Sequence, residues 1–408
     1  MFHPYSDWAI LAIFIFIYSL IAGRLSRTWL SDEIIFLSFG LITGPFGFKF
    51  LQFEVTSESL KTIAELTLAL ILFTDAANAN LSVLKNSVRL PWRLLGVGLP
   101  LTIALGFGVS ILLFPDFSWQ EAAILAIMLA PTDAALGKAV VTNPKVPDNL
   151  REDLNVESGL NDGICVPLLF AILAIATDKN GGNSTFNLLS TLFVQQIGIG
   201  VLVGTSFSVI GLQLRQFCRK RNWIAQDWQP IMAIALALAC YGTSQYWGGS
   251  GFIACFVGGM VFGAIVKEEK EELLMAAEAT GDALSLITWV AFGSAVTPLA
   301  ITQLSWQNLL YGVLGLTLVR MLPVFIAVFG MKLDLSSKLF IGWFGPRGLA
   351  SIVFAVIVLD EKLAHGQEIA IIVAITIILS VLAHGFSATP LVNLYGQHNA
   401  QMQSPDNQ

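Results

Sequence analysis

The chain has 408 residues, 55% of them hydrophobic and only 12% charged, with a formal net charge of −6. A soluble domain carries about 25% charged residues, so too little polar surface remains for a water-facing shell, and a lipid bilayer is the expected solvent. The net negative charge and the lack of a long basic run exclude a nucleic-acid partner, and the four cysteines (Cys165, Cys218, Cys240 and Cys255) have no C-x-x-C spacing to suggest a metal site or redox pair.

About twenty apolar residues cross a bilayer as a helix. In chain order, the apolar segments cover 8–22, 34–50, 60–77, 94–114, 121–141, 155–176, 188–214, 230–247, 251–266, 284–301, 309–329, 339–359 and 369–391. These predict an all-α polytopic membrane protein of about thirteen transmembrane helices. No basic region or small-residue cleavage site accompanies the first segment, so it is expected to remain as a span. The connections are short, and the polar tail 396–408 is expected to be disordered. The acidic segment 267–282, KEEKEELLMAAEATGD, reads as the longest charged loop, either a solvated surface helix or a cytoplasmic regulatory element.

Lysine and arginine set the orientation. With the N-terminus outside, fifteen lie in inner loops, from Arg24 and Arg27 through Lys85 to Lys332 and Lys338. Four lie in the opposite loops: Lys49, Lys61, Lys179 and Lys362. This positive-inside bias places the C-terminus in the cytoplasm. Lys138, Arg320 and Arg347 fall within or at the edge of spans, and Lys138 is expected to snorkel.

An ionisable group near the bilayer centre is costly, and such groups usually line a pathway or pair with one another. Glu65, Asp75, Asp133, Glu157, Asp162, Arg320 and Arg347 remain once loop charges are set aside. The fifth and twelfth spans share a pattern of proline, charge and nearby glycine: Pro131-Thr132-Asp133 with Gly137, and Pro346-Arg347-Gly348. Proline removes a backbone donor and clashes with the preceding turn, so both helices are expected to break there. Freed backbone groups at membrane depth must face protein or a wet cavity, where they suit a bare cation. An odd offset makes these two spans cross in opposite directions. Inverted repeats would place a substrate site between them at the midplane.

In the sixth span, Ser158 and Asp162 share one helical face, and Glu157 and Asn161 share the next. Asp162, Ser158, Thr132, Asp133 and freed carbonyls therefore form a candidate oxygen set for a hard monovalent cation. Proton and cation would compete for the Asp162 carboxylate, and that competition can couple their fluxes. Glu157 is a candidate counter-ion for Arg320, with Arg347 reaching Asp133 or Glu157 as the second arrangement. Asp75 lies near the cytoplasmic end of the third span as a candidate entrance acid. Glu65 lies toward the outer end, lining an outer cavity or snorkelling. Of the histidines, only His384 is placed for proton sensing.

APTD in the fifth span, ESGLNDG in the sixth and GPRG in the twelfth resemble the marker motifs of the monovalent cation/proton antiporter-1 family. The similarity covers essentially the whole chain in span number, orientation and motif order. It implies a transmembrane antiporter domain over 1–395, with a core of spans 4–6 and 11–13, the other spans serving as dimerisation scaffold. It also implies a homodimer of a cell inner-membrane protein, with no enzymatic activity and no cofactor. Asp162 would bind Na⁺ (or K⁺ or Li⁺) and H⁺ alternately, Thr132 and Ser158 would complete the cation site with Asp133, and Glu157 would join an arginine in the core ion pair. Asn161, standing where some relatives have a second acid, implies electroneutral one-for-one exchange serving pH and sodium homeostasis. TDAANAN around Asp75 departs from the family pattern and leaves that role open. A cation channel, or a sodium-coupled solute symporter, is the alternative; neither a TVGYG-type carbonyl filter nor polar groups suited to an organic solute appear.

Overall fold

In the computed structural model the described residues are 4–25, 28, 30–51, 58–79, 89–133, 136, 140, 143–177 and 185–402. Lys138, Gly137 and the loop charges Arg27, Lys85 and Lys179 lie outside them. Among the described residues all regular structure is helical. The first helices are α1 (Pro4–Leu25), α2 (Asp32–Thr43), α3 (Glu58–Asn78), α4 (Arg89–Leu113), α5 (Trp119–Met128) and α6 (Asp148–Thr177). There follow α7 (Thr185–Lys220), α8 (Ile231–Tyr246), α9 (Gly251–Val266) and α10 (Lys270–Thr302). The last are α11 (Trp306–Ala327), α12 (Leu335–Trp343), α13 (Leu349–Asp360) and α14 (Gly366–Met402). Seven of these (α1, α4, α6, α7, α10, α11 and α14) are long and apolar enough to cross a bilayer.

Three sequence expectations change. Segment 267–282 is no loop: from Lys270 onward it is the first half of the continuous helix α10. Leu273, Leu274, Ala277 and Gly281 are buried there, so the charged run has an apolar stripe at helical spacing, and α10 packs along α3. The tail also differs, since α14 continues through Gly396 to Met402. Finally, α11 is interrupted at Thr317 (φ −110°, ψ −91°), just before Arg320.

The fifth and twelfth spans are each interrupted close to a proline followed by a charge. A capping box starts α5: Glu121 N–H donates to Ser118 Oγ, and Ser118 N–H to Glu121 Oε2. The helix stops at Met128 and the chain is non-helical through Pro131, Thr132 and Asp133. Likewise α12 stops at Trp343, and residues 344–348 are unwound before α13 begins. Proline alone does not do this, because Pro167 and Pro390 sit inside the continuous helices α6 and α14. Neighbouring Gly345 and Gly348 add backbone freedom at the second break.

Helices α3, α7, α8, α9 and α10 pack as one group, and α4, α5, α11, α13 and α14 as another, with α6 touching both. The close approach of α9 to α3 depends on small residues. A Cβ at Gly259 would stand 2.2 Å from Phe73 O, and one at Gly263 would stand 2.1 Å from Ala77 O. This seam flanks Asp75 and holds it beside the start of α6.

Candidate functional site

The two unwound stretches cross and satisfy one another. Asp133 N–H donates to Pro346 O at 2.8 Å, and Leu349 N–H donates to Asp133 Oδ2 at 2.7 Å. Asp133 therefore places a carboxylate at the N-terminus of α13, where free N–H groups and the helix dipole favour negative charge. The Arg347 guanidinium donates to Pro131 O at 3.1 Å and to Gly345 O at 3.2 Å. Ser351 Oγ closes the other side by donating to Met128 O at 2.7 Å, near the end of α5. Backbone groups that lipid could not satisfy are thus paired across the crossing.

Helix α6 runs alongside. Ser158 Oγ donates to Thr132 O at 2.5 Å, and Asn161 Nδ2 donates to Thr132 Oγ1 at 2.7 Å. Asn161 Oδ1 accepts the Thr132 N–H at 3.3 Å. Thr132 is thereby clamped by three bonds from α6, and Asn161 acts on Thr132 rather than on Asp162. One turn beyond Ser158 stands Asp162, whose Oδ1 is buried without a hydrogen-bond partner among the described residues.

Asp162, Ser158 and Asp133 open onto a cavity of about 240 Å³. Its wall also includes Asp75 and Thr74 of α3, Asn155 of α6, and Glu278, Asp282 and Ser285 of α10. Beyond Asp162 along α6, Cys165, Val166 and Leu169 are fully buried in the apolar core. The polar cavity thus lies at the end of the molecule that holds the N-terminal half of α10. Among the described residues, no three His, Cys, Asp or Glu side chains converge tightly enough to hold a metal ion. The acids are strung along the cavity instead of forming a cage for a divalent ion.

Two of these acids, Glu278 and Asp282, escape the sequence reading because they fall in the segment taken for a loop. Their signal is visible there: they are four residues apart, with Ser285 one turn further, along the flank of the apolar stripe of α10. Asn78 Nδ2 donates to Glu278 Oε1 at 2.6 Å, tying the end of α3 to the first half of α10.

Behind the site lies the ion pair. Arg320 grips Glu157 with both terminal nitrogens, Nη1 to Oε1 at 2.6 Å and Nη2 to Oε2 at 3.0 Å, with both side chains 3% exposed. A bidentate fork of this kind is the strongest arrangement open to the two groups. Of the two arginines it is Arg320 that reaches Glu157, while Arg347 binds carbonyls at the crossing. Two further residues find partners not legible in the sequence. Glu65, half-buried on α3, accepts from Tyr241 Oη at 2.9 Å. His365 donates its N–H to Glu121 Oε1 at 2.9 Å, with the ring Nδ1 at 3.2 Å.

Crossed unwound spans, a clamped threonine and a buried unpartnered carboxylate make the helix crossing a candidate ion site in an all-helical polytopic membrane protein. Residues 10–394 match the transmembrane domain of sodium/hydrogen exchangers, and the chain belongs to that family. It is 23% identical over 384 residues to the K(+)/H(+) antiporter NhaP2 of Shewanella oneidensis, covering 92% of this chain and 64% of that protein. To the K(+)/H(+) antiporter NhaP of Alkalimonas amylolytica it is 22% identical over 385 residues, covering 92% of this chain and 65% of that protein. The chain therefore spans just under two thirds of the length of these curated relatives. Its fold is that of the sodium proton antiporter MjNhaP1 from Methanocaldococcus jannaschii, solved at pH 8, with a TM-score of 0.75 at 21% identity. That match covers 96% of this chain and 98% of the other.

Proposed function

We propose that this chain exchanges a monovalent cation, Na⁺ or K⁺, for protons by alternating access. The observation that carries this reading is the buried, unpartnered Oδ1 of Asp162 at the edge of the acid-lined cavity. A carboxylate held there accepts either a proton or a cation, with Ser158 and Thr132 as neighbouring oxygens and Asp133 holding the crossing behind them. One such carboxylate beside Asn161 supports one-for-one exchange. The packed core beyond Asp162 separates the cavity from the opposite end, which suits a carrier better than a continuous pore.

The same reading places the N-terminus outside, so that the cavity opens to the cytoplasm with Asp75, Glu278 and Asp282 at its entrance. Helices α4–α6 and α11–α14 form the ion-binding core, and α3 with α7–α10 form the scaffold against which it moves. A homodimer in the cell membrane is part of the proposal, supported by the exposure of α1, whose span is only 6% buried within the protomer. The relatives support K⁺ as readily as Na⁺, since two carry K(+)/H(+) in their names, whereas the Schizosaccharomyces pombe relative is a probable Na(+)/H(+) antiporter. The test is dissipation of a pH gradient in proteoliposomes titrated separately with Na⁺, Li⁺ and K⁺. Saturable exchange with one or more of these cations is expected. Conductance without proton coupling would replace the carrier with a channel.

A further inference from the structure

His384 of α14 is 1% exposed and does not line the cavity, yet it touches the α12 side of the break between α12 and α13 directly and reaches the other side through Ser380. Its Nε2 lies 2.9 Å from Trp343 O, on the last residue of α12. A carbonyl only accepts, and each ring nitrogen stands 2.9 Å from one, so the neutral ring can donate to only one of them; in the Nε2–H tautomer the bond goes to Trp343 O. Nδ1 lies 3.3 Å from Ser380 Oγ and 2.9 Å from Ser380 O, one turn earlier on α14. Ser380 Oγ accepts the Arg347 N–H at 2.7 Å, which leaves its own hydroxyl hydrogen for Nδ1. The imidazole also packs against the Trp343 indole, with ring centroids 5.1 Å apart. Trp343 Nε1 in turn donates to Ser387 Oγ at 2.9 Å.

We propose that His384, acting with Ser380, is a positioning residue for the cation site. It pins the unwound stretch 344–348 to α14 at Trp343 O on one side and Arg347 N–H on the other. This stretch contains Gly345, Pro346 and Gly348 and has no helical ladder to fix it. Its far end delivers the two contacts that assemble the crossing: Leu349 N–H on Asp133 and the Arg347 guanidinium on Pro131 O. With the clamp removed, those contacts keep their partners but lose their fixed geometry, and a binding site held too loosely loses affinity. This inference rests on the reading of the crossing as a cation site.

Four variants test it in the full-length protein: His384→Gln, His384→Asn, His384→Ala and Ser380→Ala. The amide nitrogen of Gln reaches the place of Nε2 and restores the donor to Trp343 O, whereas that of Asn reaches only the place of Nδ1. Two readouts are taken: KM and maximal rate of ΔpH-driven exchange in proteoliposomes, and cation-dependent thermal stabilisation of the purified protein, with choline as the inert cation. His384→Asn, His384→Ala and Ser380→Ala are expected to raise KM about tenfold, with a matching rise in the cation concentration needed for stabilisation. His384→Gln is expected to stay within about threefold of wild type. Equal KM values across the set overturn the proposal. So does a loss that follows the cation-free melting temperature instead of the presence of a donor to Trp343 O. Wild-type protein stabilised by the cation but exchanging no protons would remove the antiport reading and leave the positioning role standing. Neither stabilisation nor exchange would remove both.

Discussion

Leu349 donates its backbone N–H to Asp133 Oδ2 at 2.7 Å, so the first turn of one half-helix is capped by an acid from the other interrupted span. Asp133 is therefore engaged in joining the two breaks, and the unpartnered oxygen at the cavity belongs to Asp162. This division of labour sets the first prediction. Asp162→Asn keeps the shape but removes both the charge and the titratable proton, so exchange is expected to vanish. Insertion and melting temperature should stay close to wild type. Substantial ΔpH-driven exchange by the purified variant would move the ion to another group.

The crossing itself is tested at Gly348. A Cβ there would overlap the Asp133 carboxylate and push it off the Leu349 N–H that it accepts. Gly348→Ala should therefore weaken cation affinity tenfold or more, by about 1.4 kcal/mol or above. Gly108→Ala, which meets nothing within 4 Å, serves as the control. KM values for the two variants in parallel proteoliposomes decide the matter, and unchanged affinity in Gly348→Ala would detach the Asp133 contact from the site.

Glu157 and Arg320 carry a different expectation, one of stability. Removing one partner of a buried pair strands the other charge and costs about 3–5 kcal/mol. Glu157→Ala should lower the melting temperature substantially in detergent, in contrast to Asp162→Asn. Equal melting of Glu157→Ala and wild type would deny the pair its structural role.

Competition at one carboxylate has a kinetic signature. If proton and cation exclude each other at Asp162, the apparent KM for the cation rises as pH falls below the site's pKa, approaching tenfold per unit in that limit. Maximal rate should change far less. Full cation titrations at symmetrical pH values, from about pH 4 in the ordinary carboxylate range up to pH 8, measure this. A KM that stays flat while the rate switches would point to a separate regulatory proton.

At the proposed outer end, Lys61 at the start of α3 donates to Asp360 at the end of α13, linking the two packed groups. The hydrogen bond from Lys61 and its charge hold the Asp360 carboxyl below its ordinary value. A carboxyl depressed in the folded state contributes stability above its unfolded pKa and loses it as pH falls through the folded one. Both side chains are substantially exposed, so screening limits the pair to at most about 1 kcal/mol. Asp360→Asn should therefore melt slightly below wild type at neutral pH and together with it in strong acid. A gap that widens on acidification would reverse the assignment.

How much of this was legible in the residues differs from element to element. Apolar runs marked most of the helices because a bilayer leaves a spanning segment few other choices. Pro131 and Pro346, each beside a charge and near a glycine, marked the breaks, whereas Pro167 and Pro390, with no charge beside them, stay inside continuous helices. The scarcity of intramembrane charge singled out Asp162, Asp133, Glu157, Arg320 and Arg347. The acids of α10 were hidden by their own neighbours: a dense charge run reads as solvated loop unless the spacing of Leu273, Leu274, Ala277 and Gly281 is weighed against it.

The sequence by itself determined the solvent, the helical class, the places where helices fail and the short set of costly polar groups. Each of these follows from local chemistry: hydropathy, a missing N–H, or a charge in an apolar run. Only the tertiary structure decided which groups meet. Arg320 rather than Arg347 takes Glu157, Asn161 holds Thr132, Asp133 caps α13, and Glu278 and Asp282 line the same cavity as Asp162. Helical periodicity assigns a side chain to a face, but the neighbour on that face is set by how whole helices pack, through contacts between residues distant in the chain.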